Sequence, residues 1–137
     1  VSGLEEEGED LSVSSKPNAL ALFNPVYDNG PKGYGHSRVA DRYKEISPIH
    51  NIRKGTPPTI VFLGDRDSLI PVSTAEKFKA LMEKAGSRSD LHVYAGQPHG
   101  FFNKGKKGNY YEQTVLEMDK FLISLGWLKG KPTIKVP

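Results

Sequence analysis

The chain has 137 residues, 36% of them hydrophobic and 26% charged, a length for one domain at most and a composition that argues against disorder. It contains no cysteine, which excludes disulfides, thiolate nucleophiles and cysteine-ligated zinc. The formal charge of +3 is modest, and no apolar stretch approaches the length of a membrane span, so no membrane partner is expected.

Val1 to Asp10 reads as the end of an element followed by a polar linker, made acidic by Glu5, Glu6, Glu7, Glu9 and Asp10. Val1 is not an initiator methionine and opens no secretory apolar region, so any targeting segment is expected to have been removed or never present here. Ala19 to Phe23 is a continuous apolar run ended by Asn24-Pro25, which suits a strand buried on both faces. Tyr27 to Thr56 is rich in glycine and lacks periodicity apart from a short helix expected around Ser37 to Lys44. Irregular stretches of that length are usually functional, so residues 26–57 are read as a cap or insert.

Thr59 to Leu63 is the second buried strand. Ser73-Thr74-Ala75-Glu76 has the form of a capping box, opening a helix with Phe78, Leu81, Met82 and Ala85 on one face. Gly86 ends that helix with a left-handed cap. Leu91 to Tyr94 is the third strand. Asn109, with Glu112 three residues on, opens a last helix with a Tyr111, Val115, Met118, Leu122, Leu125 stripe, closed by Gly126. Strands alternating with helices at this spacing imply right-handed crossovers and a parallel sheet, hence an α/β fold with three mainly parallel strands and flanking helices.

Two strand ends carry the chemistry. Gly64-Asp65-Arg66-Asp67 follows the second strand and Gln97-Pro98-His99-Gly100-Phe101 follows the third. A carboxylate and an imidazole on the loops after neighbouring strands are two thirds of a nucleophilic triad, in which the acid orients the histidine and the histidine takes the proton. His99, between proline and glycine, is poorly suited to filling a core. His92 lies inside a strand, and His36 and His50 lie in the irregular segment. None of the four histidines pairs with another at ligand spacing, so no metal and no cofactor are expected.

This arrangement resembles the C-terminal part of an α/β-hydrolase of the esterase/lipase kind, over roughly residues 10–130. That family carries its triad in the order Ser, acid, His, with the serine on a G-x-S-x-G elbow. Its acid commonly lies in a Gly-x-x-Asp-x-x-(Val/Ile)-Pro stretch, matched by Gly64, Asp67, Ile70 and Pro71, and its histidine in a His-Gly-Phe stretch, matched by His99, Gly100 and Phe101. The resemblance makes Asp67 the catalytic acid rather than Asp65, and His99 the base. It implies that 1–137 is the C-terminal portion of a single hydrolase domain, acting with a serine on small carboxylic esters such as acetylated sugars. Peptidases of the prolyl-oligopeptidase type share these late motifs, so peptide hydrolysis is the alternative.

The elbow, the oxyanion loop and the early strands of that family are not found in the chain. Gly35-His36-Ser37-Arg38-Val39 imitates the elbow, but Val39 stands where close packing needs a small residue and a turn-rich stretch, not a strand, leads into Ser37. Ser2 before Gly3 has less context still. Asp65-Arg66-Asp67 also imitates the Asp-x-Asp signature of haloacid-dehalogenase-type phosphotransferases, whose later acidic pair is not visible after the third strand. Phe101-Phe102 with Lys104, Lys106 and Lys107 imitates a single-strand nucleic-acid platform, but the lysines here and at 129, 131 and 135 share no periodic face, so no nucleic acid is expected. The chain alone is therefore expected to be inactive. Its edge strand, residues 19–23, is expected to pair with a missing N-terminal portion or with itself. A non-catalytic fragment or binding module that keeps the fold is the reading from another class.

Overall fold

A computed structural model describes residues 6–10 and 12–137. The start of the N-terminal stretch, with Ser2, lies outside the described residues. Three strands, β1 (Leu20–Phe23), β2 (Thr59–Gly64) and β3 (Ser89–Tyr94), form one sheet in the order β1-β2-β3, both pairs parallel. Parallel pairing puts all three C-terminal ends on one edge of the sheet, so the loops after Phe23, Gly64 and Tyr94 gather there.

β2 is buried at every position because it has a strand on each side and a helix on each face. Its side chains alternate as the pleat requires. Val61 and Leu63 pack with Ala75, Phe78 and Met82 of α3 (Val72–Lys84), while Ile60 and Phe62 pack with Phe121 of α4 (Tyr110–Ser124). α1 (His36–Val39) and α2 (Tyr43–Ile46) are single turns in the segment between β1 and β2. Met82 has no exposed surface, so Met82→Ala is expected to cost about 2–5 kcal/mol of stability, read from the midpoint of denaturant unfolding.

Several local expectations need correction. The capping box does not form: α3 starts at Val72 with extended Pro71 as its cap, and Ser73 is already helical. Pro71 holds φ −62 and ψ 139, so the first turn begins behind it, with the Thr74 N–H donating to Pro71 O. The C-terminus is as expected: Gly86 at φ 76 lets its N–H reach Glu83 O and the Ser87 N–H reach Met82 O.

The helix expected around Ser37 to Lys44 is instead α1 and α2, joined by a 3₁₀ turn over Ala40–Arg42 and broken by a left-handed φ of 44 at Ala40. β3 begins two residues earlier than Leu91, its register with β2 starting at Ser89. β1 is only half-buried, with Ala21 exposed, because it has one strand neighbour rather than two. Of the expected stripe on α4, Met118, Leu122 and Leu125 pack against the Ile60, Phe62 and Phe121 cluster. Tyr111 is exposed, while Thr114 and Phe121 are buried, the Thr114 hydroxyl donating to Tyr110 O and so needing no water.

Candidate active site

Asp67 and His99, assigned from sequence, meet at the C-terminal edge of the sheet. His99 Nδ1 lies 2.8 Å from Asp67 Oδ2. The Asp67 side chain has no exposed surface, whereas that of His99 is 46% exposed. An ionised carboxylate only accepts hydrogen bonds, so the shared proton sits on Nδ1 and Nε2 keeps a lone pair directed elsewhere.

The other Asp67 oxygen is already occupied. Oδ1 accepts the N–H groups of Leu69 (2.8 Å) and Ile70 (3.1 Å), and the Asp67 N–H donates to Gly64 O at 3.2 Å. The carboxylate is therefore locked into its own turn by one oxygen and presents the other to the imidazole. Ile70, 4% exposed, packs into the α3-side core and fixes the far end of that turn. An Asp after a strand is often a turn former or helix cap, and Asp67 takes that role with Oδ1 while Oδ2 meets His99, though the two N–H donors themselves were not named from sequence. The signal for them is the Asp itself, on the turn after a strand: its Oδ1 bond to the Leu69 N–H, two residues on, is that of an Asx turn.

The histidine loop is anchored beneath His99. Phe101 is 3% exposed, its ring 4.9 Å from that of Tyr94 and 5.5 Å from that of Tyr110. Phe102 packs at 4.8 Å on Phe23 of β1. Gly100, at φ 74, turns the chain between His99 and this anchor. Gly64 is needed for a different reason: a Cβ there would fall 2.1 Å from Gln97 O, so only glycine lets the two loops approach.

The remaining candidates are elsewhere. Asp65 takes a different partner from Asp67, its Oδ1 accepting the Gly96 N–H at 2.6 Å. Among the described residues no group of three His, Cys, Asp or Glu side chains is placed to hold a metal ion, and no helix is long and apolar enough to cross a membrane. Ser37 lies exposed on α1 with no strand leading into it. His36 Nδ1 is 2.8 Å from Asn29 O, and His50 Nε2 is 3.7 Å from Asp28 Oδ1, both within the irregular segment. His92 stays in β3, its ring 5.6 Å from that of Phe62.

Two cavities flank the strand ends. The larger, about 560 Å³, lies between the irregular segment (Tyr27, Tyr34, Tyr43, His50) and the acid loop (Leu69, Ile70). The smaller, about 290 Å³, is bounded by the His99 loop with Lys106 and Lys107. Burial pushes the Tyr27 phenol well above its ordinary range, and burial with the nearby Glu117 charge pushes Tyr94 up to about 12. Both phenols are thus held protonated at neutral pH.

The sequence pattern of the prolyl oligopeptidase family matches residues 18–122. The esterase LipC of Mycobacterium tuberculosis is 37% identical over 70 residues, 47% of this chain and 17% of that protein. Among solved structures, esterase 2 of Thermogutta terrifontis phosphorylated by paraoxon is 40% identical with a TM-score of 0.83, over 93% of this chain and 47% of that one. The propionate-bound form of the same esterase is 39% identical with a TM-score of 0.84, over 94% of this chain and 50% of that one. The three parallel strands and flanking helices are thus part of an α/β-hydrolase fold. The chain spans about half the length of these esterase structures and a smaller share of LipC.

Proposed function

Because the chain belongs to the prolyl oligopeptidase family, with the α/β-hydrolase fold of an esterase, we propose that it is the C-terminal portion of a serine-dependent hydrolase of small carboxylic esters. Asp67 and His99 are the acid and base; the serine elbow and the oxyanion N–H groups belong to a segment outside residues 1–137. The observation that carries this reading is the 2.8 Å contact between a locked carboxylate and an imidazole whose other nitrogen makes no hydrogen bond among the described residues.

In the proposed reaction, His99 Nε2 takes the serine proton as the serine oxygen attacks the ester carbonyl. Asp67 stabilises the imidazolium that results, and backbone donors stabilise the oxyanion. Collapse of the tetrahedral intermediate passes that proton to the departing alcohol and leaves an acyl-enzyme. Water, deprotonated by the same imidazole, then releases the acid. The segment 26–57 acts as a cap, with the 560 Å³ cavity beneath it receiving one side of the ester.

Small acyl groups are favoured by the likeness to an esterase solved with propionate and with butyrate. A serine nucleophile is favoured by that esterase's phosphorylation by paraoxon, since organophosphates modify activated hydroxyls. The family itself keeps peptide hydrolysis as the second reading. The test is paraoxon treatment of the complete protein followed by peptide mass spectrometry, with turnover of nitrophenyl acetate compared with that of a prolyl nitroanilide. One diethylphosphoryl serine outside residues 1–137 and preference for the ester are expected. An adduct on Ser37, or none at all, overturns the proposal.

A further inference from the structure

We infer that Asp65 is a positioning residue for His99: it sets the spacing between the acid loop and the histidine loop by holding the Gly96 backbone. The inference rests on the ester-hydrolase reading for its kinetic consequence, though not for the contact itself.

The two loops are joined by a short backbone clasp. The Asp65 N–H donates to Tyr94 O at 3.1 Å, continuing the β2–β3 ladder one residue past Gly64. The Arg66 N–H then donates to Gln97 O at 3.0 Å, and it is this carbonyl that would collide with a side chain at Gly64. Between these two links, Asp65 Oδ1 accepts the Gly96 N–H at 2.6 Å. Gly96 has φ 74, a left-handed turn that aims its N–H back across the gap between the loops.

The carboxylate has no competing engagement. Among the described residues Asp65 is in no ion pair, and its side chain makes no other hydrogen bond. A charge-assisted bond from a backbone N–H is stronger than a neutral one, and this one ties down a residue three positions before His99. The two carboxylates at the end of β2 thus divide the work. Asp67 orients the imidazole and Asp65 fixes the backbone that carries it. An imidazole displaced by an ångström relative to the serine loses rate without losing substrate affinity.

Asp65 is exposed, so its replacement leaves the core intact. Asp65→Ala removes the acceptor, whereas Asp65→Asn keeps an oxygen for Gly96 and removes only the charge. Hydrogen exchange followed by mass spectrometry on the chain is expected to show the 95–101 peptide exchanging about tenfold faster in Asp65→Ala and near the wild-type rate in Asp65→Asn. In the complete hydrolase, Asp65→Ala is expected to lower kcat by about 10- to 100-fold with KM within about twofold, and Asp65→Asn to restore most of it. Equal kcat in Asp65→Ala and wild type overturns the inference. So does an equal loss in both variants, which would make the charge, not the bond, the cause. A complete protein that paraoxon fails to label removes the ester-hydrolase reading instead, and the exchange experiment still decides whether Asp65 holds Gly96.

Discussion

Asp67→Asn is expected to lower kcat of the complete hydrolase by about 10⁴-fold, the loss that a wrong histidine tautomer causes in a Ser-His-Asp triad. The geometry explains why the effect is large while the fold survives. The Leu69 and Ile70 N–H groups continue to claim the remaining oxygen, so the new amide turns its NH₂ toward His99. His99 Nδ1 then becomes an acceptor, the proton moves to Nε2, and the nitrogen facing the serine no longer has a lone pair for it. His99→Ala removes the base outright and is expected to be at least as severe. Steady-state rates with nitrophenyl acetate, alongside thermal unfolding, check both. A loss below tenfold in Asp67→Asn together with a large one in Asp65→Asn would transfer the acid's role to Asp65 and also contradict the division of labour between the two.

What the sequence made legible follows from how local each signal is. The Thr59 to Gly64 run is apolar at nearly every position, and a strand with two strand neighbours and two covered faces has that composition. Gly86 was readable as a cap because the missing Cβ permits a left-handed turn, whereas the need for glycine at Gly64, the last residue of β2, comes from the approach of Gln97 O and was not readable. The capping box misled because Ser73 and Glu76 satisfy the pattern without the extended backbone that a cap requires, and Pro71 had already supplied it. The α4 stripe was legible in Met118, Leu122 and Leu125, but buried Thr114 was missed because it counts as polar in a periodicity argument, although its hydroxyl is satisfied within the helix. Least legible was the grip of Asp65 on Gly96. A bond between residues 31 positions apart leaves no local pattern at either end, and it emerges only when the parallel register brings the two loops together.

The same register leaves β1 as an edge, and a large effect is expected there too. The chain by itself is expected to self-associate, or to bind the N-terminal portion when that is supplied, rather than to remain monomeric. Both outer strands of a three-stranded sheet have unpaired backbone groups, but they differ in protection. β3 carries Asp90 and His92, with Arg88 paired to Asp90 at its start, and charge of this kind discourages edge pairing. β1 reads Leu-Ala-Leu-Phe, has no charge, and meets proline only at Pro25, beyond its end. It pairs only with β2 among the described residues, and its residues are half-buried with Ala21 exposed. Light scattering on the size-exclusion peak should therefore give at least twice the 15.1 kDa of one chain. Adding the N-terminal portion should replace that species with a one-to-one complex and bring nitrophenyl acetate turnover from the background of a His99→Ala control to a measurable rate. A monomer with slow amide exchange across Ala19 to Phe23 would contradict the expectation, because it would mean the β1 edge is already protected. Turnover by the chain alone would contradict it from the other side, placing a working nucleophile within these residues.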